Sequence, residues 1–347
     1  MGFRNIYLVG SVPLTSARDV FETIGAKFGN RIAYIPDGET DKLDWITQLE
    51  TLFSDHPDFE PSPEVFAVHA GSKARRRYQL RAGVTPDAVD FGDLGYADAA
   101  IASYEQFKKA RAAGHIAAGA RFQIDLVPAH SVLWLFVRED QQALLDDAYN
   151  RAVANDMRKI VDTLPHEDIA IQFDIASAVF ARLERGEATI YGRTKLEMTD
   201  RFAAIVATLA NKVPADIPLL FHFCYGDANH KHAIEPTDMG DMVAMANALF
   251  EKIVRPVNLI HMPVPRDRSD DAYFAPLSRL QKPVGTELVL GLVHYTDGVE
   301  GTRTRIDTAL RFAPSFSVAT ECGFGRRDPS TIPALLDVHL DASAYRV

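Results

Sequence analysis

Short apolar runs rich in β-branched residues recur along the chain, separated by longer stretches whose apolar positions return every three to four residues. The first pattern is that of buried parallel strands and the second that of helices packed on one face. Eight runs stand out, at 6–10, 32–35, 122–127, 169–173, 218–223, 257–260, 288–292 and 316–319. Helices are predicted between them over 16–28, 98–113, 140–163, 195–210, 238–253 and 302–311. The alternation continues to the end and defines an α/β fold. Eight strands is the number of a single (β/α)8 TIM barrel, although a doubly wound open sheet would show the same alternation. One interval, about 59–119, is far longer than a usual strand-to-helix connection and predicts a helical excursion over the barrel mouth between strands 2 and 3. On this reading residues 1–347 are one barrel domain.

Composition narrows the function classes. Charged residues make up 24% and apolar residues 47% of the chain, as in water-soluble globular proteins. A formal charge of −10 opposes attraction to nucleic acid or an anionic membrane. The apolar run near the start is too brief for a signal segment or a membrane span, so the expected compartment is cytoplasmic. With no sign of an oxidising compartment, the two cysteines, Cys224 and Cys322, read as free thiols or metal ligands.

The densest chemistry lies where runs end. His222 and Cys224 are two apart at the end of the fifth run, so on a strand both face the same side. Cys322 follows the eighth run. A barrel gathers such positions at one mouth, and imidazole with two thiolates is a ligand set for catalytic Zn2+ with one position left open. The competing reading is two inert buried cysteines and a core histidine. His261 ends the sixth run and is a candidate fourth ligand or general acid, and His294 ends the seventh as a candidate proton donor. Gly10-Ser11, Asp37-Gly38-Glu39 and Asp174 end other runs, where carboxylates would hold an ammonium group or orient a histidine. The basic run Lys73-Ala74-Arg75-Arg76-Arg77 is either a solvated helix face or a clamp for a carboxylate or phosphate.

From Val9 to about Arg327 the chain resembles the cobalamin-independent methionine synthases, in their C-terminal catalytic barrel and shorter core homologues, which share a superfamily with the uroporphyrinogen decarboxylases. The resemblance is carried by Gly10-Ser11, Gly38-Glu39, Trp134-Leu135-Phe136-Val137-Arg138-Glu139-Asp140, Asp174, His222-Phe223-Cys224-Tyr225 and Cys322-Gly323. It implies zinc at His222, Cys224 and Cys322, an amino-acid thiol against Gly10, Ser11 and Glu39, its amino group on Asp174, and a folate or other methyl donor against Trp134. Three departures bear on substrate and chemistry. His261 stands where the family has a glutamate ligand, His294-Tyr295-Thr296-Asp297 replaces Asp-Ile-His-Ser, and Ile175-Ala176 replaces Glu-Pro.

The expected activity is zinc-dependent transfer of a methyl group between a small donor and a thiol, with His294 or Asp297 protonating the departing atom. An apolar mouth around Trp134, Phe136 and Tyr225 would serve an aromatic donor as well as a pterin. Three alternatives stand beside this. One is alkyl transfer from an epoxide, with Arg75, Arg76 and Arg77 holding an anionic thiol. Another is a metal-free decarboxylase of the uroporphyrinogen type. The third is a non-catalytic partner of a corrinoid or methyl-carrier protein. Besides small molecules, the expected partners are such a carrier or a second copy of the chain.

Overall fold

The structure, a computed structural model, describes residues 5–38 and 43–345. Its strands are β1 (Tyr34–Pro36), β2 (Phe59–Phe66), β3 (Arg75–Leu80), β4 (Arg121–Leu126), β5 (Ile169–Ile175), β6 (Leu219–Phe223), β7 (Leu259–Pro263), β8 (Glu287–Val293) and β9 (Ser317–Thr320). Seven of them form one parallel sheet in the order β1-β4-β5-β6-β7-β8-β9. Each of these seven overlaps an apolar run, because a run that is buried on both faces has no alternation to satisfy and needs only a helix on its outer side.

The run at 6–10 is the exception. It forms two single bridges, Ile6 with Ile32 and Ile6 with Val318, rather than a continuous ladder. The Ile6 N–H donates to the Arg31 carbonyl and the Tyr7 N–H to that of Val318, each at 3.0 Å. One short segment thus touches both ends of the seven-stranded sheet, which must curl until its edges lie either side of it. The result is an α/β fold of TIM-like layout.

Helices cover the outer face. Helix Ala17–Phe28 starts at Ser16, whose hydroxyl caps the Asp19 N–H, and helix Lys195–Ala210 starts at Thr194, which caps Glu197. The curl separates two cores. The larger lies between strands and helices. A small inner cluster of Tyr7, Val9, Ala170, Leu220, Leu259, Val289 and Ala319 fills the inside of the curl. These inner residues fix which alternate positions of each strand point inward.

The segment expected to be a helical excursion is different. It is built from the antiparallel hairpin of β2 and β3, pairing Phe59 with Leu80 and Phe66 with Arg75, followed by helix Tyr96–Ala112. Pro61 and Pro63 would break a helix, and the basic run alternates as a strand does, with Arg76 exposed and Arg77 buried. Among the described residues no helix is long and apolar enough to cross a membrane.

Candidate metal centre and its cavity

The inward phase set by the inner core continues toward the C-terminal strand ends and turns polar there. From Leu220 it passes to His222 and Cys224, from Leu259 to His261, and from Ala170 to Gln172 and Asp174. Burial of so many polar groups demands internal partners. Tyr7 donates to Gln172. The Gln172 amide reaches the Val9 carbonyl at 3.0 Å and Asp174 Oδ1 at 2.8 Å. Gln123 joins the same lattice through the Val9 carbonyl and Asp125 Oδ1.

His222, Cys224 and Cys322 come together above this lattice, with one ligand atom from each lying within 4.8 Å of the others. The two sulfurs are 3.6 Å apart. That is far beyond the roughly 2.05 Å of a disulfide, and close to the roughly 3.8 Å between two thiolates each about 2.3 Å from one tetrahedral zinc. The His222 Nδ1 is 2.8 Å from the Nδ1 of His261, whose Nε2 is 2.9 Å from the Thr320 carbonyl. A carbonyl only accepts, so His261 carries its proton on Nε2 and accepts at Nδ1 from His222. This leaves His222 Nε2 as the ring atom available to a metal. Burial holds both rings neutral, pushing His261 down to about 3 and His222 well below its usual value.

The adjoining Cys322 thiol, together with burial, pushes the Cys224 thiol well above its ordinary value. Two thiols this close cannot both ionise without a cation, and a bound dication reverses that preference. The Gly226 N–H, 3.2 Å from the Cys224 sulfur, is a ready donor to the thiolate. Backbone packing locks the cysteine loop. The Phe324 N–H donates to the Ser11 carbonyl at 2.8 Å, and a Cβ at Gly323 would overlap the Gly10 carbonyl. A Cβ at Gly10 would in turn overlap the Asp125 carboxylate.

The cluster opens into a cavity of about 250 Å³. Of the residues singled out from sequence, Gly10, Ser11, Lys73, Arg75, Trp134, Asp174, His222, Cys224 and Cys322 are among those that line it. Arg75 is already paired with Glu50 at 2.7 Å. Trp134 packs edge-on against Phe66 of the hairpin, with ring centres 4.7 Å apart.

The other candidates sit elsewhere. Asp37 is buried on the outward phase, where its carbonyl accepts from Ser103. Tyr225, one step past Cys224, points outward to the Tyr273 hydroxyl at 3.2 Å. Arg77 is buried under Phe66 and bound to Glu64 and the Trp134 carbonyl, so it holds the hairpin down rather than clamping a ligand. His261 supports His222 with both nitrogens engaged. His294 gives Nε2 to the Val264 carbonyl at 2.9 Å, and burial lowers its affinity for a proton. Burial alone would raise the Asp297 carboxyl, but the Arg305 fork at 2.6 and 2.9 Å outweighs it and keeps the carboxylate ionised. Neither His294 nor Asp297 lines the cavity. Glu39 lies outside the described residues.

The cavity also contains residues not anticipated from sequence: Trp45, Asp125, Asp227 and Arg326. Carrying the strand phase from Gln123 would have found Asp125. Trp45 and Arg326 sit in turns without periodicity, and no local signal marks them.

A curled parallel α/β sheet with a metal-type ligand set at the C-terminal ends of its strands is the class this fold and site define. No family model matches the chain, and no curated protein matches it. Among solved structures, the chain is similar to a "Putative Vitamin-B12 Independent Methionine Synthase" from Listeria monocytogenes, with a TM-score of 0.54 and 13% identity over 99% of this chain and 98% of that one. At that identity the likeness speaks for the fold.

Proposed function

We propose that the protein is a zinc-dependent transferase that moves a methyl or other small alkyl group from a small donor to a thiol, in the manner of a methionine synthase. The observation that carries the reading is the juxtaposition of His222, Cys224 and Cys322 at one wall of the cavity. Zinc held there would favour the thiolate of an incoming thiol, the form that attacks carbon. His261 and the Thr320 carbonyl keep the His222 ring in the tautomer that presents Nε2. Gly10 and Ser11 form the wall beside Cys322, and Trp134 gives the donor an aromatic face. Asp174 takes a cationic group of the thiol substrate. Burial raises the Asp227 carboxyl, which suits it, in place of His294 or Asp297, to hold a proton inside the cavity.

The test is metal content followed by a spectroscopic probe. Purified protein should carry about one zinc per chain, as a single structural ligand set predicts. After replacement by Co2+, adding a thiol should introduce new sulfur-to-metal absorption. A protein that takes up no zinc when supplied with it, or a cobalt spectrum indifferent to thiols, would overturn the reading and favour metal-free decarboxylation.

A further inference from the structure

The Asp174 carboxylate is only 6% exposed although it lines the cavity. Part of its cover is Trp45, whose indole Nε1 donates to Oδ2 at 3.0 Å while Gln172 serves Oδ1. Trp45 lies in no helix or strand and has φ of 59°, in the left-handed region where a bulky side chain is strained. Such a conformation persists only when its surroundings hold it.

Trp45 packs on the main core and Ile46 is buried in it, and further fastenings lie at the cavity. Residues 43–47 all line the cavity and form a strap across it. Arg326 Nε donates to Asp44 Oδ1 at 3.0 Å, and Gly325 packs so close to the Leu43 carbonyl that a Cβ there would overlap it. The strap is therefore fastened on one side to the loop after β9 and on the other, through Trp45, to Asp174. A carboxylate inside a low-dielectric cavity needs donors, and a neutral indole N–H is a weaker partner for it than an ammonium group.

We propose that Trp45 is a specificity gate. Its indole holds the Asp174 carboxylate until a ligand brings a cationic N–H donor of its own, and that exchange releases the strained strap. A thiol carrying an ammonium group opens the site, and the same thiol without one leaves Trp45 in place. The identity of the ligand as a thiol rests on the transferase reading; the Trp45–Asp174 catch does not, since no metal takes part in it.

Trp45 and Trp134 are the chain's two tryptophans, so Trp134→Phe leaves Trp45 as the sole indole reporter. In that background L-homocysteine should raise acrylamide quenching of Trp45 by about twofold while 4-mercaptobutyrate leaves it unchanged. Without any ligand, Asp174→Ala should produce the same rise. In otherwise wild-type protein, Trp45→Phe should bind homocysteine several-fold more tightly by calorimetry, because the competing donor is gone. Where calorimetry shows that homocysteine binds, equal quenching with both thiols or weaker binding by Trp45→Phe would overturn the gate, as would unchanged quenching in a folded Asp174→Ala protein. Should Asp174→Ala fail to fold, Arg326→Gln replaces it: loosening the other fastening should raise quenching in the same direction, and no change would count against the strap. A protein that binds no zinc but still answers to Asp174→Ala would sink the transferase reading alone.

Discussion

The loops after β6 and β9 and the loop after β8 emerge at the same end of one sheet, and each region carries a histidine with other groups able to do chemistry. In the first, His222, Cys224 and Cys322 converge on a cavity. In the second, His294 and Asp297 are consumed by the fold: the imidazole is tied to a neighbouring carbonyl, and the carboxylate to Arg305, which is 2% exposed and also donates to the carbonyls of Leu292 and Arg266. Side-chain partners separate them. His222 and Cys224 share the inward parity of Leu220, whereas β8 carries a register shift between Leu290 and Val293 that breaks the alternation before His294. Closeness to a strand end is therefore a weaker sign of function than closeness with a side chain that the packing leaves facing the cavity.

The comparison can be broken most forcibly at the cysteines. Cys224→Ser or Cys322→Ser should abolish stoichiometric zinc in the purified protein, measured by elemental analysis, while leaving the fold in place. Next, Arg305→Leu should cost about 3 kcal/mol of stability by urea unfolding, because it strands the Asp297 carboxylate and frees two carbonyls. Its metal content should stay at the wild-type level, and a lost metal would show that the two regions are one site.

His261→Ala sharpens the first region from within. It removes the acceptor that orients His222 and should weaken zinc by roughly 10- to 100-fold in a chelator competition. If the metal vanished as completely as in the cysteine variants, His261 would be a ligand rather than a support.

The smallest effect lies at the seam between the regions. Glu321 precedes Cys322 and is 3.1 Å from His232 Nε2 and 3.7 Å from His294 Nδ1. Burial alone would lower the His232 pKa, but Glu321 and Glu235 on either side push it up to about 9. A pKa raised on folding contributes stability that is complete below the unfolded value near 6.5 and is lost as pH climbs through the folded one. Unfolding free energy should thus fall by roughly 1–2 kcal/mol between pH 6.5 and about 9, and His232→Gln should flatten that slope. An unchanged slope would mean that Glu321 does not hold a charged His232.

Much of this molecule is decided locally. Seven apolar runs become the seven strands of the sheet because burial on both faces selects for such runs, and Ser16 and Thr194 start helices because their hydroxyls satisfy end groups within the same turn. The pairing of His222 with Cys224 is likewise a property of spacing along one strand. Other features were settled only when the chain closed on itself. The sulfur-to-sulfur approach of Cys224 and Cys322 spans 98 residues, and Trp45 reaches Asp174 across 129. The turn that carries Trp45 has no periodicity to announce where its indole will point. The engagement of His294, Arg77 and Asp297 depended on which partners the packing delivered. Local spacing determines which side chains can share a face; the curl of the sheet and the loops packed over it determine which faces meet.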